Sequence, residues 1–252
     1  MSNFRARTQK GMATMWPFLV MGYVAAVLAI DTLATECVEW PWDWAKWFMW
    51  SSRDVHAALT WGGCPDWIAT PLTARGMGSF DWFKFLLWFA FPFLFALRRM
   101  DWGAIGPRRW KRIDIALPLG IAVIGVLVMM LIPYVPALHR TYPTLMARSP
   151  EMKLAFCIWQ LAWLASWLPG WEFMHRYTLL RAANQRWPRY GWLLLPLFEG
   201  VYHLQKPMLE MLGMVLFSIA MTQWTLRRRN ILLPFLCHLI IEAELVIYLV
   251  YR

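Results

Sequence analysis

Acidic residues are scarce in this chain. Fifteen Asp and Glu stand against 25 Lys and Arg in 252 residues, a formal net charge of +10. Cysteine is scarce too: there are four. Cys37 and Cys64 share one loop and could pair in an oxidising compartment, while Cys157 and Cys237 sit in apolar runs and read as small core residues. No internal repeat, low-complexity tract or soluble-domain stretch is present, which speaks against a repeat array. No small-residue cleavage site follows the first apolar run, so that run reads as a retained span rather than a cleaved leader.

Hydrophobic residues are abundant. They make up 60% of the chain, with 19 Trp and 16 Met, where a soluble domain would hold about 45–50%. Several windows reach about 20 apolar residues, the length that crosses a bilayer as a helix. The composition predicts an all-α, polytopic membrane helix bundle. The basic residues cluster in short loops beside apolar runs, so the charge is an orientation signal. The lipid bilayer is the expected partner, and nucleic acid is not.

Hydropathy predicts seven spans, at about 12–34, 80–98, 114–137, 152–182, 191–205, 208–226 and 231–251. Arg5, Arg7 and Lys10 precede the first span. Arg98, Arg99, Arg108, Arg109, Lys111 and Arg112 follow the second. Arg181, Arg186 and Arg189 follow the fourth, and Arg227, Arg228 and Arg229 follow the sixth. All these connections share one side if the N-terminus is cytoplasmic and the C-terminus outside. The loop at 35–79 then lies outside. Its Trp40, Trp42, Trp44, Trp47 and Trp50 read as an interfacial aromatic belt, with a substrate-facing lid as the alternative.

The third span is almost pure hydrocarbon, and the chemistry is expected in the C-terminal half, where the last four spans hold a set of ionisable residues. They are Glu172, His175 and Arg176, then Glu199 and His203, then Glu210, then His238, Glu242 and Glu244. An ionisable group at bilayer depth costs at least ~2.5–3.5 kcal/mol, so such groups turn inward and mark function. Glu172 and Arg176, Glu199 and His203, and His238 and Glu242 are each four apart, and so share a helix face. At 1.5 Å per residue from the basic boundary, Glu172, His203 and His238 lie roughly 15, 18 and 12 Å deep. Three helices thus offer acid–base pairs at one level, which predicts one shared site. Pro169-Gly170, just before Glu172, predicts a kink or opening of the helix. Trp159, Trp163, Trp167 and Trp171, at spacing four, predict a packing ridge or lipid face.

A carboxylate withdrawn from bulk water can act as a general base, a His beside it can share the activation of water, and a second His can donate to an oxyanion. That set hydrolyses an amide. Two His and a Glu could also bind zinc, but there is no HExxH run. A chain of Glu and His can also relay protons for transport.

The motifs WEFMHR, FEGVYH and HLIIE, on successive helices, resemble those of the CPBP family of intramembrane endopeptidases, which covers CAAX prenyl proteases and bacteriocin-processing proteins. That family carries E-E-x-x-x-R, F-x-x-x-H and H-x-x-x-N. The run HLQKPMLE, which holds Lys206 and Glu210 as secondary candidates with His175, is similar to one in bacterial members. The WEF form resembles myxosortase-like members, which trim C-terminal sorting tails. The resemblance spans about 150–245; it divides the chain into a three-span N-terminal region, 1–150, and a catalytic-type core, 151–252.

The resemblance implies a metal-free glutamate peptidase in a bacterial cytoplasmic (inner) membrane. Its substrate would be a membrane-embedded or lipid-anchored tail: a sorting segment, a CAAX-like end or a bacteriocin-type peptide. Arg176 would hold Glu172, His203 would help activate water, and His238 with Glu242 would form the oxyanion site. The sequence departs from the pattern at Trp171, which replaces the first motif Glu, and at Glu199, which replaces the Phe four before His203. Glu172 is therefore expected to be essential and Glu199 auxiliary. The alternatives are a non-proteolytic immunity or interaction protein of the same fold, or a proton-coupled transporter.

Overall fold

A computed structural model of the chain describes the backbone at 2–36 and residues 57, 59–66, 69, 80–98, 100–107, 110–142 and 149–251. Among the described residues all regular structure is helical, with no strand. Helix α1 is Ser2–Glu36. Helix α2, Trp82–Leu97, contains a π-helical stretch at Phe85–Ala90. Helix α3 is Arg112–Leu131, and α4 is Pro136–Thr141. Helix α5, Pro150–Glu172, runs on through a π-helical segment, Phe173–Leu179, into α6, Leu180–Arg186. Helix α7 is Leu194–Tyr202, α8 is Met208–Arg228 and α9 is Leu232–Tyr251.

Helices occupy all seven expected stretches. Among the described residues, four are long and apolar enough to cross a membrane, at Met15–Thr32, Arg112–Tyr134, Met208–Arg228 and Leu232–Tyr251. An 18-residue window within Arg112–Tyr134 has a mean hydropathy of 2.8. Leu119, Val123, Leu127 and Met130 in this stretch are exposed. In water such a surface would be an unpaired apolar patch; against acyl chains it is matched. This is an integral membrane protein. The stretch at 191–205 consists of α7 flanked by 3-10 turns at Gly191–Leu193 and His203–Gln205.

Two compact units are present. One comprises Met1–Glu36, Pro92–Arg109 and Glu172–Pro234; the other comprises Cys37–Phe91, Trp110–Trp171 and Phe235–Arg252. This division follows packing, whereas the division at 150 follows sequence resemblance.

In the first unit, α1 buries Val20, Val24, Val27 and Leu28 on one face, the i, i+4, i+7, i+8 spacing of an amphipathic stripe. Phe173 stacks on Tyr177 and meets Phe93 at a tilt of 56°, and the Tyr177 hydroxyl accepts the Asp101 backbone N–H at 2.7 Å. Helix α8 ends on Arg229 in the left-handed conformation, φ 49°. Asn230 then caps α9: its Oδ1 accepts the Leu232 N–H at 3.1 Å, and its Nδ2 donates to the Gly106 carbonyl at 2.6 Å. Gly191 is required by close approach, since a Cβ there would strike the Ala183 carbonyl.

In the second unit, Met129, Ile132 and Leu138 form a core with Ile241, Leu245 and Tyr248 from α9. Gly125 of α3 leaves room for the Glu244 carboxylate, which a Cβ would strike. Helix α5 opens on Ser149, whose hydroxyl accepts the Met152 N–H at 3.3 Å, with Pro150 in the first turn. The Glu151 carboxyl is held below its ordinary range by its own backbone N–H and by Ser149.

The helix stays α through Pro169 and Gly170, so the expected opening is not there. Proline removes one ladder bond, and the bonds around it carry the helix on. Gly170 serves another purpose: a Cβ would lie 2.8 Å from Trp88 Cβ and 3.0 Å from Phe89 N. The departure from α geometry begins at Phe173. The Trp stripe grades along α5, from Trp159, 37% exposed, to Trp171, 2% exposed and 5.4 Å from the Trp88 ring. It is a packing ridge at its C-terminal end. The Trp-rich part of the 35–79 loop and Cys37 lie outside the described residues, while Cys64 is a free cysteine with its Sγ 3.8 Å from the Pro65 carbonyl, so the expected pairing of Cys37 with Cys64 is not formed.

Candidate active site

Three buried charged side chains meet in the first unit. Arg176 Nη1 donates to Glu172 Oε2 at 2.8 Å, and Nη2 lies 3.3 Å from Glu199 Oε1. All three residues are at most 1% exposed. The first pair follows from helix spacing. The second joins the π-helical segment to α7 and is a tertiary contact. A guanidinium suits this position because its planar fork addresses two carboxylates at once, where an ammonium would be a point charge.

The segment FMHRYTL around Arg176 is π-helical, with the Thr178 hydroxyl donating to the Phe173 carbonyl five residues back, at 3.3 Å. Such wide turns cost regular geometry and are frequent at functional sites. His175, in the same turn, is fully buried.

Glu199 also carries the link to His203. Its backbone carbonyl lies 2.7 Å from His203 Nδ1. A carbonyl only accepts, so Nδ1 bears the proton, and in the neutral ring Nε2 holds the lone pair. Glu199 thus faces Arg176 with its side chain and orients His203 with its backbone. His203 is half-buried, at the turn that ends α7.

His238 and Glu242 belong to the second unit. His238 is 3% exposed, its Nε2 lies 3.7 Å from Glu242 Oε1, and its ring meets Trp167 edge-on at 5.6 Å. At 3.7 Å the first of these is an ion-pair distance, not a hydrogen bond. Lys206 and Glu210 pair with each other at 3.9 Å. Among the described residues, no group of three or more His, Cys, Asp or Glu is placed to hold a metal ion.

Two features escaped the sequence reading. Arg176 also lines a cavity of about 580 Å³, with Asp101, Tyr177, Arg181, Asn184 and Arg229 around it. Asp31 of α1, 5% exposed, accepts the Tyr202 hydroxyl at 2.7 Å. A census of the first span would have found that acid; nothing local to it names its partner.

Residues 153–243 match the family model of Rce1-like type II CAAX prenyl endopeptidases. The matched stretch contains Glu172, Arg176, Glu199, His203, His238 and Glu242. It is similar to intramembrane proteases of that family. No curated protein and no solved structure matches the chain.

Proposed function

We propose that this protein is an intramembrane endopeptidase of the glutamate type, hydrolysing a peptide bond in a tail presented at or within the membrane. The observation that carries the reading is Arg176 held between two buried carboxylates, with His203 tied to the backbone of the second. Arg176 holds one oxygen of the Glu172 carboxylate at 2.8 Å, and a carboxylate so positioned can take a proton from water.

Glu172 is assigned as the base. Arg176 fixes its Oε2, and Oε1 is the oxygen assigned to the water. His203 Nε2, facing away from the Glu199 carbonyl, relays the proton to the departing amine. The family resemblance, rather than geometry, assigns the oxyanion role to His238 with Glu242, and Glu242 can donate only in its neutral form. Glu199 keeps Arg176 in place and serves as the auxiliary acid. No metal enters the scheme. The substrate class is a lipid-anchored or membrane-embedded peptide end: CAAX-like, a C-terminal sorting segment or a bacteriocin-type peptide. The host membrane is proposed to be a bacterial cytoplasmic membrane.

A second reading draws on Trp171. A buried indole packed on Trp88 stands where the first motif carboxylate is expected, as in a protein that keeps the fold without the chemistry. One assay separates the two. The full-length protein in liposomes is mixed with a quenched fluorogenic peptide bearing a farnesylated CAAX end, and with sorting-tail and bacteriocin-leader peptides in parallel. Cleavage of at least one, lost in His203→Gln, is expected. Stable binding without cleavage of any would favour the second reading.

A further inference from the structure

Helix α1 lies outside the stretch that matches the peptidase family, yet it reaches the residue next to His203. Asp31 Oδ2 accepts the Tyr202 hydroxyl at 2.7 Å, across 171 positions of sequence. That is a short O–H···O bond to a buried carboxylate, the strong class of hydrogen bond. Tyr202 is the last residue of α7, and its ring meets the His203 imidazole edge-on, at 5.5 Å and 77°. The imidazole is therefore held twice. The Glu199 carbonyl fixes Nδ1 at 2.7 Å, and the Tyr202 ring limits its swing. The bond to Asp31 fixes the far end of the Tyr202 ring and so restrains its rotation about the two side-chain bonds.

We infer that Asp31 is a positioning residue for His203, acting through Tyr202, so that the N-terminal helix completes a site otherwise built from the C-terminal half; the catalytic consequence rests on the peptidase reading. A strut between α1 and α7 would hold the helices together without acting on the imidazole, and that difference can be measured. Full-length protein labelled with ¹⁵N-histidine is prepared in detergent micelles, with the His203 signals assigned by His203→Gln. Asp31→Ala and Tyr202→Phe are each expected to move the His203 ring-nitrogen resonances. The double variant should move them no further than either alone. Asp31→Asn, whose amide oxygen still accepts from the phenol, should leave them near wild type. Tyr202→Phe keeps the ring volume and carries the test if Asp31→Ala fails to fold.

On the fluorogenic peptides the same two variants should lower kcat about 10- to 100-fold with KM unchanged, the scale of a misplaced catalytic group. His203 resonances that stay at their wild-type positions in folded Tyr202→Phe would overturn the inference. Resonances that move as expected in a protein that cleaves nothing would count against the peptidase reading and leave the positioning role standing.

Discussion

Arg176 is the residue on which the first unit's polar interior turns. It is buried, and two carboxylates depend on it. Removing one partner of a buried ion pair costs about 3–5 kcal/mol, because the remaining charge is left uncompensated. Arg176→Met is therefore expected to destabilise the protein by about that amount. Glu172→Gln should cost only about 1 kcal/mol, since Glu199 still faces the guanidinium. Glu172→Gln with Glu199→Gln should return to about 3–5 kcal/mol. Unfolding in detergent measures all three, and costs that simply add would show that the carboxylates do not share the cation.

At the scale of the element, close packing is concentrated where α5 gives way to the π-helical segment. Gly170 lies against the Trp88 and Phe89 backbone of α2, at 2.8–3.0 Å from a built Cβ. Gly170→Ala should destabilise by about 1–3 kcal/mol, the cost of overpacking. Gly213, inside α8, has nothing within 4 Å of a built Cβ. There the same change should stabilise by up to about 1 kcal/mol. Equal shifts in melting temperature for the two variants would contradict this account.

Elements also show what was legible in the sequence. The Glu172–Arg176 pair could be read because the helix period alone sets it. The Glu199 contact to Arg176 could not, since it depends on how α7 meets the π-helical segment. The π turn itself has no local mark in FMHRYTL, which holds neither Gly nor Pro. Pro169-Gly170 carried a stronger local signal for irregularity, but the helix absorbs it. Asp31 and Asn230 bond to residues 171 and 124 positions away. No periodicity reports such partners.

At the scale of the whole molecule, hydropathy made the helical membrane class plain, because lipid-facing helices need no pattern beyond length and apolarity. Orientation rests on the basic loops. A C-terminal alkaline phosphatase fusion expressed in bacteria is expected to be active, and the matching green fluorescent protein fusion dark, placing the C-terminus outside. The reverse pair of signals would put the C-terminus on the cytoplasmic side and contradict the seven-span arrangement with a cytoplasmic N-terminus.

The central claim is that Glu172, clamped by Arg176, is the base that activates water. The most direct measurement compares cleavage of the fluorogenic peptides by wild type, Glu172→Gln and Glu199→Gln in the same liposomes. Loss of at least about 100-fold in kcat for Glu172→Gln, the scale of a general base, with a smaller loss for Glu199→Gln, is the predicted result. Full cleavage by Glu172→Gln together with none by Glu199→Gln would contradict it and move the catalytic role to Glu199.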